Sequence, residues 1–85
     1  MNRSEVLNAA RKIICEDRND TYGEPQNLFE EIGQRWGRDP VFVAIDMADM
    51  KMARIRANVD HIDSYLDAIG YLAIAVELLQ EGEEE

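Results

Sequence analysis

The chain has 85 residues, a net charge of −9 and one cysteine, and these values exclude several classes of protein. A chain of this length forms one domain that buries only about 60% of its unfolded surface, so a monomer has marginal stability. Direct binding to nucleic acid is not expected, because that affinity comes chiefly from Lys and Arg side chains that neutralise phosphates. The chain has neither a disulfide pair nor an apolar run of about 18 residues, so we expect a cytoplasmic protein without membrane contact.

The first two predicted helices flank a polar segment that is rich in turn formers. Ser4 is a natural N-cap, and apolar residues at helical spacing predict a helix from there to about Asp17. Cys15 continues that spacing, so we expect a buried thiol. A second helix is predicted from Pro25, which suits a first helical position, to Gly37, which suits a helix end. Its apolar stripe consists of Leu28, Phe29, Ile32 and Trp36.

Two longer helices follow, and both are apolar on two sides. Helix three is predicted from Asp39-Pro40 to about Ala57, and helix four from near His61 to about Gln80. On helix three the two apolar sides are Val41, Ala44, Ile45, Ala48, Met52 and Ile55, and Val43, Met47 and Met50. On helix four they are Ile62, Tyr65, Leu66, Ile69, Leu72, Ala73 and Val76, and Tyr71, Ile74 and Leu78. Helices of this kind are buried on both sides.

These patterns predict an all-α, four-helix bundle-like domain. Four short helices cannot cover so much apolar surface alone, so we expect homo-oligomerisation, as a dimer or tetramer, to complete the core. The domain is expected to span residues 1–81. Residues 82–85 are predicted to form a disordered acidic tail, because carboxylates at a helix C-terminus are disfavoured by the helix dipole.

Four aspartates on the two long helices are the main candidates for chemistry. Asp46 and Asp49 lie on a flank between the apolar patches of helix three. Asp63 and Asp67 are one turn apart on helix four, at the start of a stripe that continues into core residue types. Unpaired buried carboxylates are very costly, so the four need cationic partners or a metal ion.

Two interpretations of these aspartates compete. In the structural interpretation each pairs with a base such as Lys51, Arg54 or Arg56, or Asp63 stabilises the start of helix four. In the functional interpretation all four hold Mg²⁺, which favours carboxylate oxygens and bridges to substrate phosphates. Asp63 and Asp67 are then the catalytic candidates, while Lys51 and Arg54 bind phosphate.

Two further residues, Tyr22 and His61, carry side chains that are candidates for binding a ligand. Tyr22-Gly23 is either a simple turn or a loop whose aromatic ring stacks on a nucleotide base, which makes Tyr22 a substrate-binding candidate. His61 is the only histidine, and with Asp63 it supplies too few ligands for zinc, so we interpret it as a helix-start residue.

The chain resembles a family of short, uncharacterised phage and prophage proteins. The shared motifs are Asp17-Arg18 to Tyr22-Gly23, Asn27-Leu28-Phe29, Lys51 to Arg54, and Asp63-Ser64-Tyr65-Leu66-Asp67-Ala68-Ile69-Gly70-Tyr71. They cover nearly the whole chain, and the last is the most specific. The chain is also similar to the nucleotide-modification-associated domains of phages. More distantly it resembles the MazG-type all-α nucleoside triphosphate pyrophosphohydrolases.

The more distant resemblance implies a dimer or tetramer in a bacterial host cell, with Mg²⁺ held by acids on two helices. The motifs depart from that pattern. Only Asp67 matches the final acid on helix four, and Ser64 stands where a glutamate is expected. Asp46 and Asp49 keep the spacing of the other acids but have shorter side chains.

Three hypotheses follow from the sequence. The first is a Mg²⁺-dependent, phage-type nucleotide-handling protein that resembles a deoxynucleoside or nucleoside triphosphate pyrophosphohydrolase. The second is a non-catalytic oligomeric module that binds a nucleotide or a protein. The third is a structural protein whose aspartates form salt bridges within a subunit interface.

Overall fold

A computed structural model describes residues 1–17 and 23–84, with only the backbone described for residues 17 and 82–84. The described residues contain four α-helices and no strand, which confirms the predicted all-α class. The helices are α1 (Arg3–Lys12), α2 (Pro25–Trp36), α3 (Pro40–Ala57) and α4 (Ile62–Glu84). No helix in this part of the chain combines the length and apolar character that crossing a membrane requires.

The helix ends follow local capping chemistry. Gly37 ends α2 in the left-handed conformation, with φ +64°, and its backbone N–H bonds to the carbonyl of Gly33. Asp39 caps α3 by accepting a 2.9 Å hydrogen bond from the N–H of Val41. The predicted bounds of α2 and α3 are therefore confirmed. A further constraint lies at Gly33, where an added Cβ would be only 2.5 Å from the Arg38 carbonyl oxygen.

The start of α1 differs from the prediction. Asn2, and not Ser4, is the N-cap: its side chain accepts a 2.9 Å hydrogen bond from the N–H of Glu5. The Glu5 carboxylate in turn accepts a 3.2 Å bond from the N–H of Asn2. This reciprocal capping box satisfies two backbone N–H donors. A helix capped at Ser4 would begin two residues later and would not use these two hydrogen bonds.

The end of the first helical segment also differs. A π-helical turn, Ile13–Asp17, continues α1 and interrupts its 3.6-residue period. Cys15 is consequently exposed, so the prediction of a buried thiol was wrong. Ile14 packs beside Gly70 of α4, where an added Cβ would lie 3.4 Å from the Ile14 Cβ. The π turn thus directs Ile14, rather than Cys15, toward the bundle.

The core lies where α2, α3 and α4 meet. Because the turn between α3 and α4 spans only residues 58–61, these two helices pack as antiparallel neighbours. The buried cluster consists of Phe29, Val43, Ala44, Ile74, Ala75 and Leu78. Phe29 and Tyr71 add a tilted aromatic pair with ring centroids 6.0 Å apart.

The described monomer buries only some of the predicted apolar positions. On α4, Ile74 and Leu78 belong to the core, but Leu72 and Val76 are half exposed. In α2, Phe29 is buried, whereas Leu28 and Trp36 of the predicted stripe are exposed. Each predicted apolar side of α3 and α4 is thus only partly buried within one chain, and oligomerisation stays a prediction.

The last helix is longer than expected. Helix α4 continues to Glu84, four residues past the predicted end near Gln80. The predicted division into a domain over residues 1–81 and a disordered tail over residues 82–85 stays a prediction.

Candidate functional site

Asp46 lies at the corner between α2 and α3 and is held by an arginine. The Arg38 guanidinium donates to both carboxylate oxygens of Asp46, at 2.6 Å from Nε and 3.0 Å from Nη2. These hydrogen bonds raise the pKa of Arg38 above its ordinary value. The Arg38 side chain also lies over the Phe42 ring, 5.3 Å from its centroid. Both charged side chains remain 45–46% exposed, so this is a surface ion pair.

Arg38 is a partner of Asp46 that the sequence reasoning missed. Only bases on helix three were considered as partners, and Arg38 immediately precedes the helix-three N-cap, Asp39. The sequence does contain a signal for this pair. Because α3 begins at Pro40, Asp46 lies about two turns into the helix, where a long side chain just before the helix can reach it.

Asp67 lies in the interface between α3 and α4, where it pairs with Lys51. The Lys51 Nζ is 3.0 Å from Asp67 Oδ2, and the two side chains are only 12% and 11% exposed. The attraction between two nearly buried charges offsets part of the free-energy cost of removing each of them from water. The structure thus pairs Lys51, a predicted phosphate-binding residue, with Asp67, a predicted catalytic residue.

The other two aspartates are exposed. Asp49 lies on α3 and Asp63 in the first turn of α4, and neither forms an ion pair in the described part of the chain. Across residues 1–17 and 23–84, no group of three or more His, Cys, Asp or Glu side chains is placed to hold one metal ion. The four aspartates are therefore not brought together as one site within this chain.

The remaining substrate-binding candidates are placed as follows. Lys51 is engaged by Asp67, whereas Arg54 is exposed near the C-terminal end of α3. Tyr22 lies outside the described residues. The predicted stacking of its ring on a base therefore stays a prediction.

The turn between α3 and α4 is held by residues of the most specific sequence motif. Ser64 is 1% exposed, and its Oγ shares a 2.8 Å hydrogen bond with His61 Nδ1. Tyr65 donates from its hydroxyl to the Val59 carbonyl at 2.9 Å. His61 thus acts at the helix start, as the sequence indicated, and Ser64 and Tyr65 fix the geometry of the turn.

The rest of that motif also serves packing. Asp67 pairs with Lys51, and Gly70 lies beside Ile14. Tyr71 packs against the buried cluster through Phe29. The motif therefore connects α4 to α3, to the π turn and to α2, which is a structural explanation of its residue types.

Comparison with known proteins identifies the family. Residues 5–79 match the family described as "Domain of unknown function (DUF6378)". The chain is 29% identical over 82 residues to the "Gene 55 protein" of Mycobacterium phage D29, covering 89% of the chain and 54% of that protein. It is 32% identical over 87 residues to the "Gene 55 protein" of Mycobacterium phage L5, covering 94% of the chain and 55% of that protein.

The chain therefore spans about half the length of the curated relatives it matches. No solved structure matches it. The resemblance to phage proteins is confirmed, whereas the more distant resemblance to MazG-type pyrophosphohydrolases stays a prediction. The matched residues cover most of the chain, and this phage-type protein belongs to the DUF6378 family.

Proposed function

We propose that this phage-type protein is a non-catalytic, oligomeric binding module that acts through protein–protein contact. The observation that carries the proposal is the apolar surface left open on the two long helices. Eight large hydrophobic side chains of α3 and α4 are 39–53% exposed, and six of them are Ile45, Met52, Ile62, Leu72, Val76 and Leu79. We call these six residues the outer face.

The outer face has about as many large side chains as the buried core of the described chain. Half of the buried hydrophobic residues described in the chain are alanines, so the intrachain core contains few large side chains. Each half-exposed side chain of the outer face can still gain on the order of 1 kcal/mol by further burial. An exposed apolar surface of this kind on a small domain marks a site of protein contact.

The polar residues support a binding role rather than hydrolysis. Asp46 and Asp67 are each neutralised by a base, through Arg38 and Lys51. The hydroxyl of Ser64 is hydrogen-bonded to the imidazole of His61. These contacts favour the structural interpretation of the motif residues, in which they hold the helices that present the outer face.

A Mg²⁺-dependent nucleotide-handling function is the second candidate, and the Lys51–Asp67 pair is the observation that favours it. Nearly buried charge pairs occur at functional sites as well as structural ones. Magnesium commonly uses one or two carboxylates together with substrate phosphates. Asp63 and Asp67 are one turn apart and can supply two such carboxylates, which is half of the predicted four-aspartate set.

Solution mass and ligand-dependent melting separate the two candidates. The binding-module proposal predicts an oligomer by size-exclusion chromatography with light scattering, and a Tm that rises with protein concentration. It also predicts no change in Tm and no pyrophosphate release with any deoxynucleoside or nucleoside triphosphate, with or without Mg²⁺. A monomer at every concentration would contradict it.

The second candidate predicts the opposite ligand response. Nucleotide with Mg²⁺ then raises the Tm, and the double variant Asp63→Asn with Asp67→Asn abolishes the shift. Asp49→Asn serves as the matched control, because Asp49 is an exposed aspartate on the other long helix. An unchanged shift in the double variant would contradict a site at Asp63 and Asp67.

A further inference from the structure

Helix α4 carries a regular apolar line on the side that faces away from the core. Its members are Ile62, Tyr65, Ile69, Leu72, Val76 and Leu79. They are separated by alternating intervals of three and four residues, which is the spacing of a two-stranded coiled-coil contact. We call this line the α4 seam, and it extends about 26 Å along the helix.

The α4 seam is distinct from the side of α4 that forms the intrachain core. The buried cluster uses Ile74, Ala75 and Leu78 of α4, and none of these belongs to the seam. Tyr65 and Ile69 are partly buried, while the other four seam residues are 50–53% exposed. The four exposed seam residues are therefore available to a partner, while Tyr65 also holds the turn between α3 and α4.

We propose that the α4 seam binds the α4 seam of a second copy of this chain in antiparallel orientation. This inference rests on the proposed function and names both the partner and the line of contact. A seam that pairs with itself about a two-fold axis closes the assembly, so a dimer covers it without leaving a further copy of the surface exposed.

The absence of charge along the seam favours a second copy over a basic partner. No seam residue is charged, and neither are the flanking residues Leu66, Ala68, Ala73, Ala75 and Gln80. By contrast, charged residues make up 32% of the chain and its net charge is −9. Two acidic chains can meet along this line without burying a carboxylate, and the exposed Ala73 beside it allows close approach.

The charges at the two ends of α4 favour the antiparallel orientation. The C-terminal end of α4 is acidic, with Glu77 and Glu81 exposed. Near its N-terminal end lies the last turn of α3, which contributes Arg54 and Arg56. Parallel pairing would place the two acidic ends side by side, whereas antiparallel pairing sets each acidic end beside the partner's N-terminal end, where the two arginines offset the exposed Asp60 and Asp63.

A charge placed in the middle of the seam tests the contact. The double variant Leu72→Glu with Val76→Glu should raise the dissociation constant of the oligomer by on the order of 100-fold, because both carboxylates would be buried against apolar residues. Leu28→Glu is the matched control: Leu28 is an exposed leucine of α2, the helix that packs on the core side of α4 through Phe29 and Tyr71. Circular dichroism checks that each variant remains helical.

The possible results separate this inference from the proposed function. An oligomeric wild type that becomes monomeric in the seam variant, but not in Leu28→Glu, supports the inference. An oligomer that survives the seam variant overturns the inference and leaves the proposed function standing. A wild type that is monomeric at every concentration overturns both.

Disulfide cross-linking tests the orientation, in a chain that carries Cys15→Ser. Antiparallel pairing places Ile62 of one copy near position 79 of the other, so Ile62→Cys and Leu79→Cys proteins should cross-link when mixed and oxidised. Parallel pairing places like positions together, so Leu79→Cys alone would cross-link. Cross-linking of Leu79→Cys alone, without the mixed product, would overturn the antiparallel arrangement.

Discussion

The α3–α4 interface and the α2–α3 corner each contain an aspartate paired with a base, but in different surroundings. Lys51 and Asp67 lie between two long helices and are 12% and 11% exposed. Arg38 and Asp46 form a closer, two-bond pair and are 45% and 46% exposed. Contact geometry alone would rank the corner pair as the stronger.

When one partner is removed, however, the more buried interface pair is expected to cause the larger loss in the free energy of unfolding. A cation left without its carboxylate in a nearly buried position keeps its desolvation cost, and this typically destabilises a protein by several kcal/mol. An exposed pair exchanges its partner for water, so its loss typically costs less than about 1 kcal/mol. The comparison therefore predicts that the interface pair governs stability and the corner pair does not.

The largest effect is expected for Asp67→Asn. The substitution keeps the shape of the side chain but removes the carboxylate 3.0 Å from Lys51 Nζ. We expect the free energy of unfolding to fall by about 3 kcal/mol, measured by urea denaturation followed by circular dichroism. A loss below about 1 kcal/mol would show that the pair behaves as a surface pair, and the comparison would fail.

A double variant is the control for this first prediction. Lys51→Met with Asp67→Leu removes both charges and keeps apolar volume at the interface. Since the penalty of Asp67→Asn comes from an unpaired charge, the double variant should be more stable than Asp67→Asn alone. If it is equally unstable, the loss reflects packing or another contact of Asp67 rather than the stranded cation.

A smaller loss is expected for Gly33→Ala at the corner. The new Cβ would lie 2.5 Å from the Arg38 carbonyl oxygen, so the backbone that leads into α3 has to move. We expect a net loss of about 1–2 kcal/mol after the helix-propensity gain of alanine, again by urea denaturation.

Gly37→Ala is the matched control for the corner. Its φ is +64°, but an added Cβ would have no atom within 4 Å. Only the cost of a left-handed conformation remains, at about 1 kcal/mol. If Gly33→Ala is the milder of the two, the close approach at Gly33 does not constrain the corner.

The smallest effect is expected for Arg38→Ala. The pair with Asp46 is exposed, so its removal should lower the free energy of unfolding by less than any of the substitutions above. The difference from wild type should shrink further in high salt, because salt screens exposed charges. Thermal melts at low and high ionic strength measure both effects. A loss comparable to that of Asp67→Asn would contradict the ranking of the two pairs.

Local features explain how much of the fold was predictable. Pro25, Gly37 and Asp39-Pro40 set the bounds of α2 and α3, because capping and backbone preferences act within one helical turn. The same reasoning missed the capping box at Asn2, where two residues satisfy each other. The π turn could not be predicted from periodicity, because it interrupts the period on which the prediction relied.

The sequence by itself determined the all-α class, most helix bounds and the acidic character of the chain, since these depend on neighbouring residues and composition. Only the tertiary structure decided the partners of the aspartates. Asp67 is near Lys51 because α3 and α4 pack closely, and Asp46 is near Arg38 because the corner turns back on α3. It likewise decided which apolar side of α4 is left open, since periodicity shows that a face is apolar but not which surface covers it.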